Sequence, residues 1–283
     1  MRISQRGIQD GIAGVFSRAA PDYDSHGPPI FAELGRRLVD LSGVTPGARV
    51  LDVATGRGAV LFPAADRVES HGSVVGIDKA ENMVLETSAD IACSGRTNIE
   101  LINMSAEQLD FPVASFDFVF CGFALWLFPH PNVALQEFYR VLKPGGCLAL
   151  TTWAKDSPFL EWVRREISIS LPPPKGSSNI ANDSPTLGSP DLGTHDQIKT
   201  ALRQAGFADI FSQKEEHDFI YASDEEWWAS LWGHGLRSRF ENLDATALEI
   251  FRSDMLRKMQ ILKQSDGIHT LWRPLFARSF KPC

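Results

Sequence analysis

Val50-Leu51-Asp52-Val53-Ala54-Thr55-Gly56-Arg57-Gly58-Ala59-Val60 is the stretch that decides the fold. A short apolar run, entered from Thr45-Pro46-Gly47 and leaving through Gly-x-Gly into Ala59-Val60-Leu61, predicts a buried parallel strand that turns tightly into a helix. The two glycines supply torsions and clearance that a Cβ would deny, and the helix start beyond them offers unpaired N–H groups and a partial positive charge. The turn is therefore predicted to hold a nucleotide-like ligand.

A missing glycine and a present aspartate narrow that ligand. The dinucleotide fingerprint needs a third glycine where Leu61 stands, which disfavours a pyrophosphate cradle and with it a nicotinamide oxidoreductase. No Gly-Lys-Ser/Thr sequence follows, so a P-loop is excluded. The next apolar run, Gly72-Ser73-Val74-Val75-Gly76-Ile77, ends in Asp78. An acid at the tip of the second strand can accept hydrogen bonds from both ribose hydroxyls, so the site suits a nucleoside better than a phosphate.

Together with Ser105-Ala106-Glu107-Gln108-Leu109-Asp110-Phe111-Pro112, Ser115-Phe116-Asp117-Phe118-Val119-Phe120 and Leu142-Lys143-Pro144-Gly145-Gly146, these stretches resemble, in order and spacing, the motifs of the class I S-adenosylmethionine-dependent methyltransferases, small-molecule branch. The resemblance implies S-adenosylmethionine as cofactor, with adenosine held by Asp78, Ala106 and Glu107 and the methionine end near Asp52 and Gly56. Ala54, Gly58, Lys79, Met83, Ser105 and Cys121 belong to the same expected cofactor site. Tyr23, in Ala19-Ala20-Pro21-Asp22-Tyr23-Asp24, matches the segment that lays a tyrosine over the cofactor in many relatives; the alternative is a tyrosine packing at a helix junction. Ala54 stands where the family usually has its first glycine, which predicts a more crowded approach to the methionine moiety.

Strand and helix patterns alternate from Arg49 to Thr152, implying right-handed crossovers and a parallel sheet covered on both faces, with ligands at the carboxyl ends of the strands. Strands are expected near 49–54, 73–78, 98–103, 116–121 and 146–152, followed by one within Ala208–Tyr221 and a last one over Ile268–Phe280. The expected fold is α/β: a doubly wound, seven-stranded, mostly parallel Rossmann-like sheet, its last hairpin antiparallel as in the family, with a helical cap. The core would be 43–154 with 194–222 and 264–283, and the cap 1–42, 155–193 and 223–263. Leu171-Pro172-Pro173-Pro174-Lys175-Gly176-Ser177-Ser178 cannot be regular structure.

With 283 residues, 43% of them hydrophobic, the chain can bury one full core and a cap. A net charge of −7 argues against a nucleic-acid partner, and Cys121-Gly122-Phe123-Ala124 lacks the Asn/Asp-Pro-Pro-Tyr/Phe grip on a base. The four cysteines show no paired spacing and read as reduced, mostly buried thiols of a cytoplasmic protein. Neither a signal peptide nor a membrane span is visible, and a homo-oligomer is compatible with the pattern. The expected partner is a small molecule.

Methyl transfer from a sulfonium is an in-line displacement on an activated donor, so positioning and water exclusion are the main requirements. Helical phase over Pro158–Ser170 puts Glu166 within an apolar stripe containing Phe159, Trp162, Val163 and Ile167. A carboxylate facing an apolar pocket has its pKa raised, making Glu166 the expected base for carbon methylation of an isoprenoid, such as a prenyl diphosphate, or of an aromatic acceptor. The alternative is that Glu166 pairs with an arginine or hydroxyl and fixes the cap. The alternatives are O- or N-methylation of a small natural product, with His130, in Phe128-Pro129-His130-Pro131, as base or with no base, and a non-catalytic S-adenosylmethionine-binding protein; His234, in the cap, reads by default as a surface residue. Phe123, Trp126, Trp162 and Trp232 are the expected substrate contacts, although tryptophans at such positions equally form ordinary helix-packing core. Arg237, Arg239 and Arg273 could receive an anionic group. No residue set has metal spacing, and no motif indicates magnesium.

Overall fold

The computed structural model describes residues 11–170 and 192–283. The expected Pro/Ser-rich stretch at 171–178 and the first ten residues of the cap lie outside them. At the centre is β1 (Arg49–Val53), in which Val50, Leu51 and Val53 are wholly buried. Parallel neighbours flank it on both sides: β2 (Ser73–Asp78), with Leu51 opposite Val75, and β4 (Phe116–Gly122), with Leu51 opposite Val119. Each such aliphatic contributes about 1.5–3 kcal/mol by leaving water, which is why this mostly apolar run sits inside the sheet, with a strand on either side.

Outward lie β3 (Ile99–Asn103) beside β2, and β5 (Leu142–Trp153) beside β4. Antiparallel β10 (Pro274–Phe280) follows β5, and β6 (Ala208–Lys214) pairs antiparallel with β10. The sheet order is therefore β3-β2-β1-β4-β5-β10-β6, seven strands with the last hairpin antiparallel, as expected. Around it pack α3 (Leu61–Val68), α4 (Glu81–Ser94), α5 (Pro131–Val141) and α7 (His195–Gln204). Helix α2 (Ile30–Ser42), drawn with the cap from sequence, lies against β5 and β10 because Ile30, Leu34, Leu38 and Val39 form a buried stripe at helical spacing.

The last two expected strands are each two strands. After β6 the chain bends at Glu215-Glu216 and continues as β7 (His217–Tyr221); before β10 it bends at Arg273 and is preceded by β9 (Gly267–Trp272). β7, β9 and the short β8 (Lys263–Gln264) form a second, antiparallel sheet, so the cap is not purely helical. Charge at the bends fixes them. Glu215 accepts from Arg37 Nη2 at 2.7 Å, and Glu216 from Arg273 Nε at 2.8 Å, while Pro274 has no N–H with which to extend a ladder.

The remaining cap consists of α6 (Pro158–Ser170), α8 (Asp224–Ser230), α9 (Arg237–Phe240) and α10 (Ala245–Met259). An N-terminal strap, α1 (Gly11–Ala19) and the turn after it, bridges core and cap. Asn82 of α4 donates to Ser17 from its backbone and side chain, both at 3.0 Å, and Glu241 accepts from Arg18 at 2.9 Å. Among the described residues no helix is long and apolar enough to cross a membrane. Cys121 and Cys147 are buried, but Cys93 and Cys283 are exposed, which corrects the expectation of mostly buried thiols.

Candidate active site

The turn after β1 carries a positive φ at three alternate positions, +54° at Ala54, +52° at Gly56 and +81° at Gly58. This curl leaves Gly56 facing open space, where a Cβ would meet nothing within 4 Å, and turns its N–H onto Asp78 Oδ2 at 2.8 Å. Asp78 Oδ1 accepts from Ala80 N at 2.8 Å. Burial raises the Asp78 pKa and these backbone donors pull it back down, so the acid is held at a fixed place beside the open turn.

Asp52 is 1% exposed, and its Oδ2 accepts from Thr55 Oγ1 at 2.6 Å. Burial, with Asp78 nearby, pushes its pKa up to about 7, against the pull of the Thr55 hydroxyl. A cation at this turn would restore the carboxylate form, as the charge on the methionine end of the expected cofactor requires. The sulfur of Cys121, wholly buried at the end of β4, has its pKa raised by burial and by Asp52, leaving it an inert thiol.

Tyr23 stacks on Phe31 (centroids 5.1 Å apart, 28° between planes), and its edge meets Phe16 and His234. Burial and the negative charges of Asp24 and Asp78 raise its pKa, so the hydroxyl stays protonated beside the cofactor turn. Met83, 1% exposed, packs with Ala20 and Ala80 beneath the strap, while Lys79 is exposed. Ala106 is buried and Ser105 Oγ accepts from Glu107 N at 3.4 Å.

Sequence reasoning missed Arg57, the charged residue between the two glycines. Its Nη1 donates to Ala20 O at 2.9 Å and its Nη2 to Asp90 at 2.6 Å, tying strap, turn and α4 together. A long cation inside a Gly-x-Gly turn was the available signal.

Tyr23 also fronts an open pocket with about 710 Å³ of space between its atoms, solvent at its mouth included. Its walls are largely aromatic. Phe123 stacks on Trp153 at 4.1 Å, Trp153 meets Trp272 at 4.8 Å, and Trp126, Phe31, Phe16 and Tyr23 add to the lining, with aliphatic residues such as Leu160 and Leu236 between them. Phe123 holds φ +53°, a strained conformation for so bulky a residue, of the kind that clusters at functional sites. Two lining residues carry shielded polar atoms that have no hydrogen-bond partner among the described residues, Trp126 Nε1 and His234 Nδ1. Burial pushes the His234 pKa down to about 4, against the pull of the Gly233 backbone, so the ring is neutral at physiological pH.

Several sequence expectations are corrected here. Glu166 is 7% exposed, as its position in the apolar stripe predicts, but its Oε2 lies 2.9 Å from Lys258 Nζ and its Oε1 2.9 Å from Arg165 Nε. Those cations, Lys258 above all, hold its pKa below the usual carboxylate range, the reverse of the expected shift, and it does not line the cavity. His130 is exposed at the start of α5, its backbone N–H donating to Glu107 Oε1 at 2.6 Å, and it too is absent from the cavity wall. Trp162 is cap core, against Phe159 and Trp227, and Trp232 packs on Phe240 beneath Arg237. Phe123 and Trp126 line the cavity. His234 lines it instead of the surface. Arg237 is engaged by Asp22 and Glu241, and Arg273 by Glu216 and Asp156, so neither waits for an anion. Among the described residues no group of His, Cys, Asp or Glu is placed to hold a metal ion.

Comparison with known proteins points the same way. The model of the ubiE/COQ5 methyltransferase family matches residues 5–177. Nocamycin O-methyltransferase of Saccharothrix syringae is 32% identical over 250 residues, covering 87% of this chain and 89% of that protein. An aklanonic acid methyltransferase of Streptomyces sp. (strain C5) is 40% identical over 141 residues, covering 50% of this chain and 64% of the relative. Among solved structures, phosphoethanolamine N-methyltransferase 2 of Haemonchus contortus in complex with S-adenosyl-L-methionine superposes over 97% of this chain and 58% of that one, with a TM-score of 0.58 at 19% identity.

Proposed function

Since this chain belongs to the ubiE/COQ5 methyltransferase family, we propose that it methylates an oxygen atom of a small, ring-bearing, largely apolar molecule bound in the aromatic cavity. It is an S-adenosylmethionine-dependent methyltransferase. The observation that carries the choice of oxygen is the pair of unpartnered polar atoms, Trp126 Nε1 and His234 Nδ1, belonging to two residues of a largely apolar wall. A wall serving only an alkene or aromatic carbon has no use for them, and buried polar atoms left unpaired are destabilising until a ligand meets them. The O-methyltransferase that spans most of the chain supports the same reading.

Bound S-adenosylmethionine supplies a sulfonium methyl already activated for in-line displacement. Asp78, Ala106 and Glu107 would hold its adenosine, and Asp52, Gly56 and Tyr23 the methionine end. The chain's own contribution is placement. The Trp126 N–H donates to the acceptor oxygen, and His234, in the tautomer with Nδ1 unprotonated, accepts the acceptor's hydroxyl hydrogen. As the O–C bond forms, that proton becomes strongly acidic, so even an imidazole with a pKa of about 4 takes it. An acceptor that arrives ionised needs only the Trp126 N–H. The aromatic wall excludes water from the reacting atoms.

The test is a pair of substitutions, Trp126→Phe and His234→Phe, assayed with hydroxyarene acceptors. Each is expected to lower kcat/KM by about 10- to 100-fold, as loss of a buried hydrogen bond or a weak base does, while affinity for S-adenosylhomocysteine holds. Unchanged kcat/KM in both variants would remove the basis for assigning an oxygen acceptor.

A further inference from the structure

Tyr221 and Ser230 also line the cavity, at 2% and 5% exposure. Ser230 has one hydroxyl hydrogen, and Trp227 O, 2.7 Å away, accepts it. The Tyr221 hydroxyl lies 3.4 Å from Ser230 Oγ, beyond the 2.5–3.0 Å of an ordinary O–H···O bond. Its own hydrogen is therefore poorly met by the protein. Burial first, against the pull of the long Ser230 contact and with Asp24 and Glu226 adding to the rise, pushes this phenol up to about 12, so it remains a donor through the physiological range.

One edge of the ring is held close against the backbone. It is packed against Gly27, where φ is +79° and a Cβ would come within 2.3 Å of Tyr221 Cε1. Glycine at 27 makes room for the ring and fixes where its hydroxyl stands. Tyr221 lies at the end of β7, so the bend that carries β7 away from the main sheet is what brings this donor to the cavity.

We propose that Tyr221, backed by Ser230, is a second recognition point for the acceptor: its hydroxyl donates to an oxygen that is not methylated, so the preferred acceptor carries at least two oxygen functions on its apolar frame. The inference rests on reading this cavity as the acceptor site. Two anchored oxygens orient a flat molecule in a smooth aromatic pocket, where stacking alone would let it rotate. Tyr221 is thereby a specificity-determining residue, distinct from the atoms that meet the reacting oxygen.

The experiment is equilibrium binding of 2-naphthol and of 2,6-dihydroxynaphthalene in the presence of S-adenosylhomocysteine, for the unmodified chain, Tyr221→Phe and Ser230→Ala. The unmodified chain is expected to prefer the diol by about five- to tenfold, the worth of one hydrogen bond. In Tyr221→Phe that preference should vanish while 2-naphthol binds within about twofold of the unmodified chain, since only one buried hydroxyl is removed. Ser230→Ala should keep a reduced preference. A diol preference that survives Tyr221→Phe overturns the inference, as does its absence from the unmodified chain. Failure of both arenes to bind would overturn the cavity reading as well. Methyl transfer from S-adenosylmethionine to the oxygen of 2-naphthol separates the two failures, because it needs no second anchor.

Discussion

Glu166 Oε2 lies 2.9 Å from Lys258 Nζ, joining α6 to α10 through a carboxylate that is ionised, paired and turned away from the cavity. Lys258 also holds Asp254 at 2.7 Å, so one ammonium gathers two acids. This is a structural link, and the aromatic cavity does without it.

Glu166→Gln is accordingly expected to leave kcat/KM within about threefold and to lower stability by about 1–3 kcal/mol, the cost of weakening a mostly buried charged hydrogen bond, discounted for the exposed Arg165 end. Because folding lowers this carboxyl's pKa, its contribution is present above the unfolded value near 4 and is lost as pH falls through the folded one. Urea unfolding at pH 7.5 and pH 4 checks both parts: the variant's deficit should shrink at the lower pH.

Asp52 has the opposite sign. An acid whose pKa is raised on folding binds its proton more tightly in the folded state, so its contribution to stability is full below about pH 4 and is lost as pH rises through about 7. A bound cation reverses the preference. Affinity for S-adenosylmethionine should weaken by up to about tenfold for each pH unit below 7, and Asp52→Asn should flatten that slope. Titration calorimetry between pH 5.5 and 8 measures it; an equal slope in the variant would place the proton elsewhere.

Ala54 holds φ +54°, a conformation that costs an L-residue about 1–2 kcal/mol. Ala54→Gly removes that strain but frees the unfolded chain by about 0.5–1 kcal/mol, so a net stabilisation of about 0.5–1 kcal/mol is expected. Cofactor affinity should hold or improve as the crowding Cβ is lost. A lower urea midpoint would show that the alanine methyl contributes packing that outweighs the strain.

Arg57→Ala cuts the strap from the cofactor turn. Loss of the contacts to Ala20 O and Asp90, both partly exposed, is expected to weaken S-adenosylhomocysteine binding by about three- to tenfold while acceptor KM stays nearly constant. Parallel titrations of cofactor product and acceptor separate this from general destabilisation, which would lower both affinities.

The sheet was legible because its information is local. Five apolar runs, each closed by turn residues, reappear as β1 to β5, and Asp52, Gly56 and Asp78 come together at the carboxyl edge because strand order and crossover hand leave them no other place. The bends at Glu215-Glu216 and Arg273 were not legible, since their partners, Arg37 among them, come from distant parts of the chain. Helical phase buried Glu166 correctly yet could not say what faces it, and Lys258 decides the charge state. Phase likewise could not distinguish Trp162, packed on Trp227, from Trp126 on the cavity wall. His234 was hidden for a different reason. It sits between two glycines in an irregular segment with no periodicity, and only the packing of Tyr23 and Phe31 against it reveals the cavity.

The most direct test of the account is where the methyl goes. S-adenosylmethionine carrying a carbon-13 methyl group, incubated with the protein and 2,6-dihydroxynaphthalene, is predicted to give a product whose labelled carbon appears by NMR as a methoxy group, formed about 10- to 100-fold more slowly by His234→Phe and within about threefold of the normal rate by Glu166→Gln. A methyl bound to ring carbon, abolished by Glu166→Gln and indifferent to His234, would contradict it.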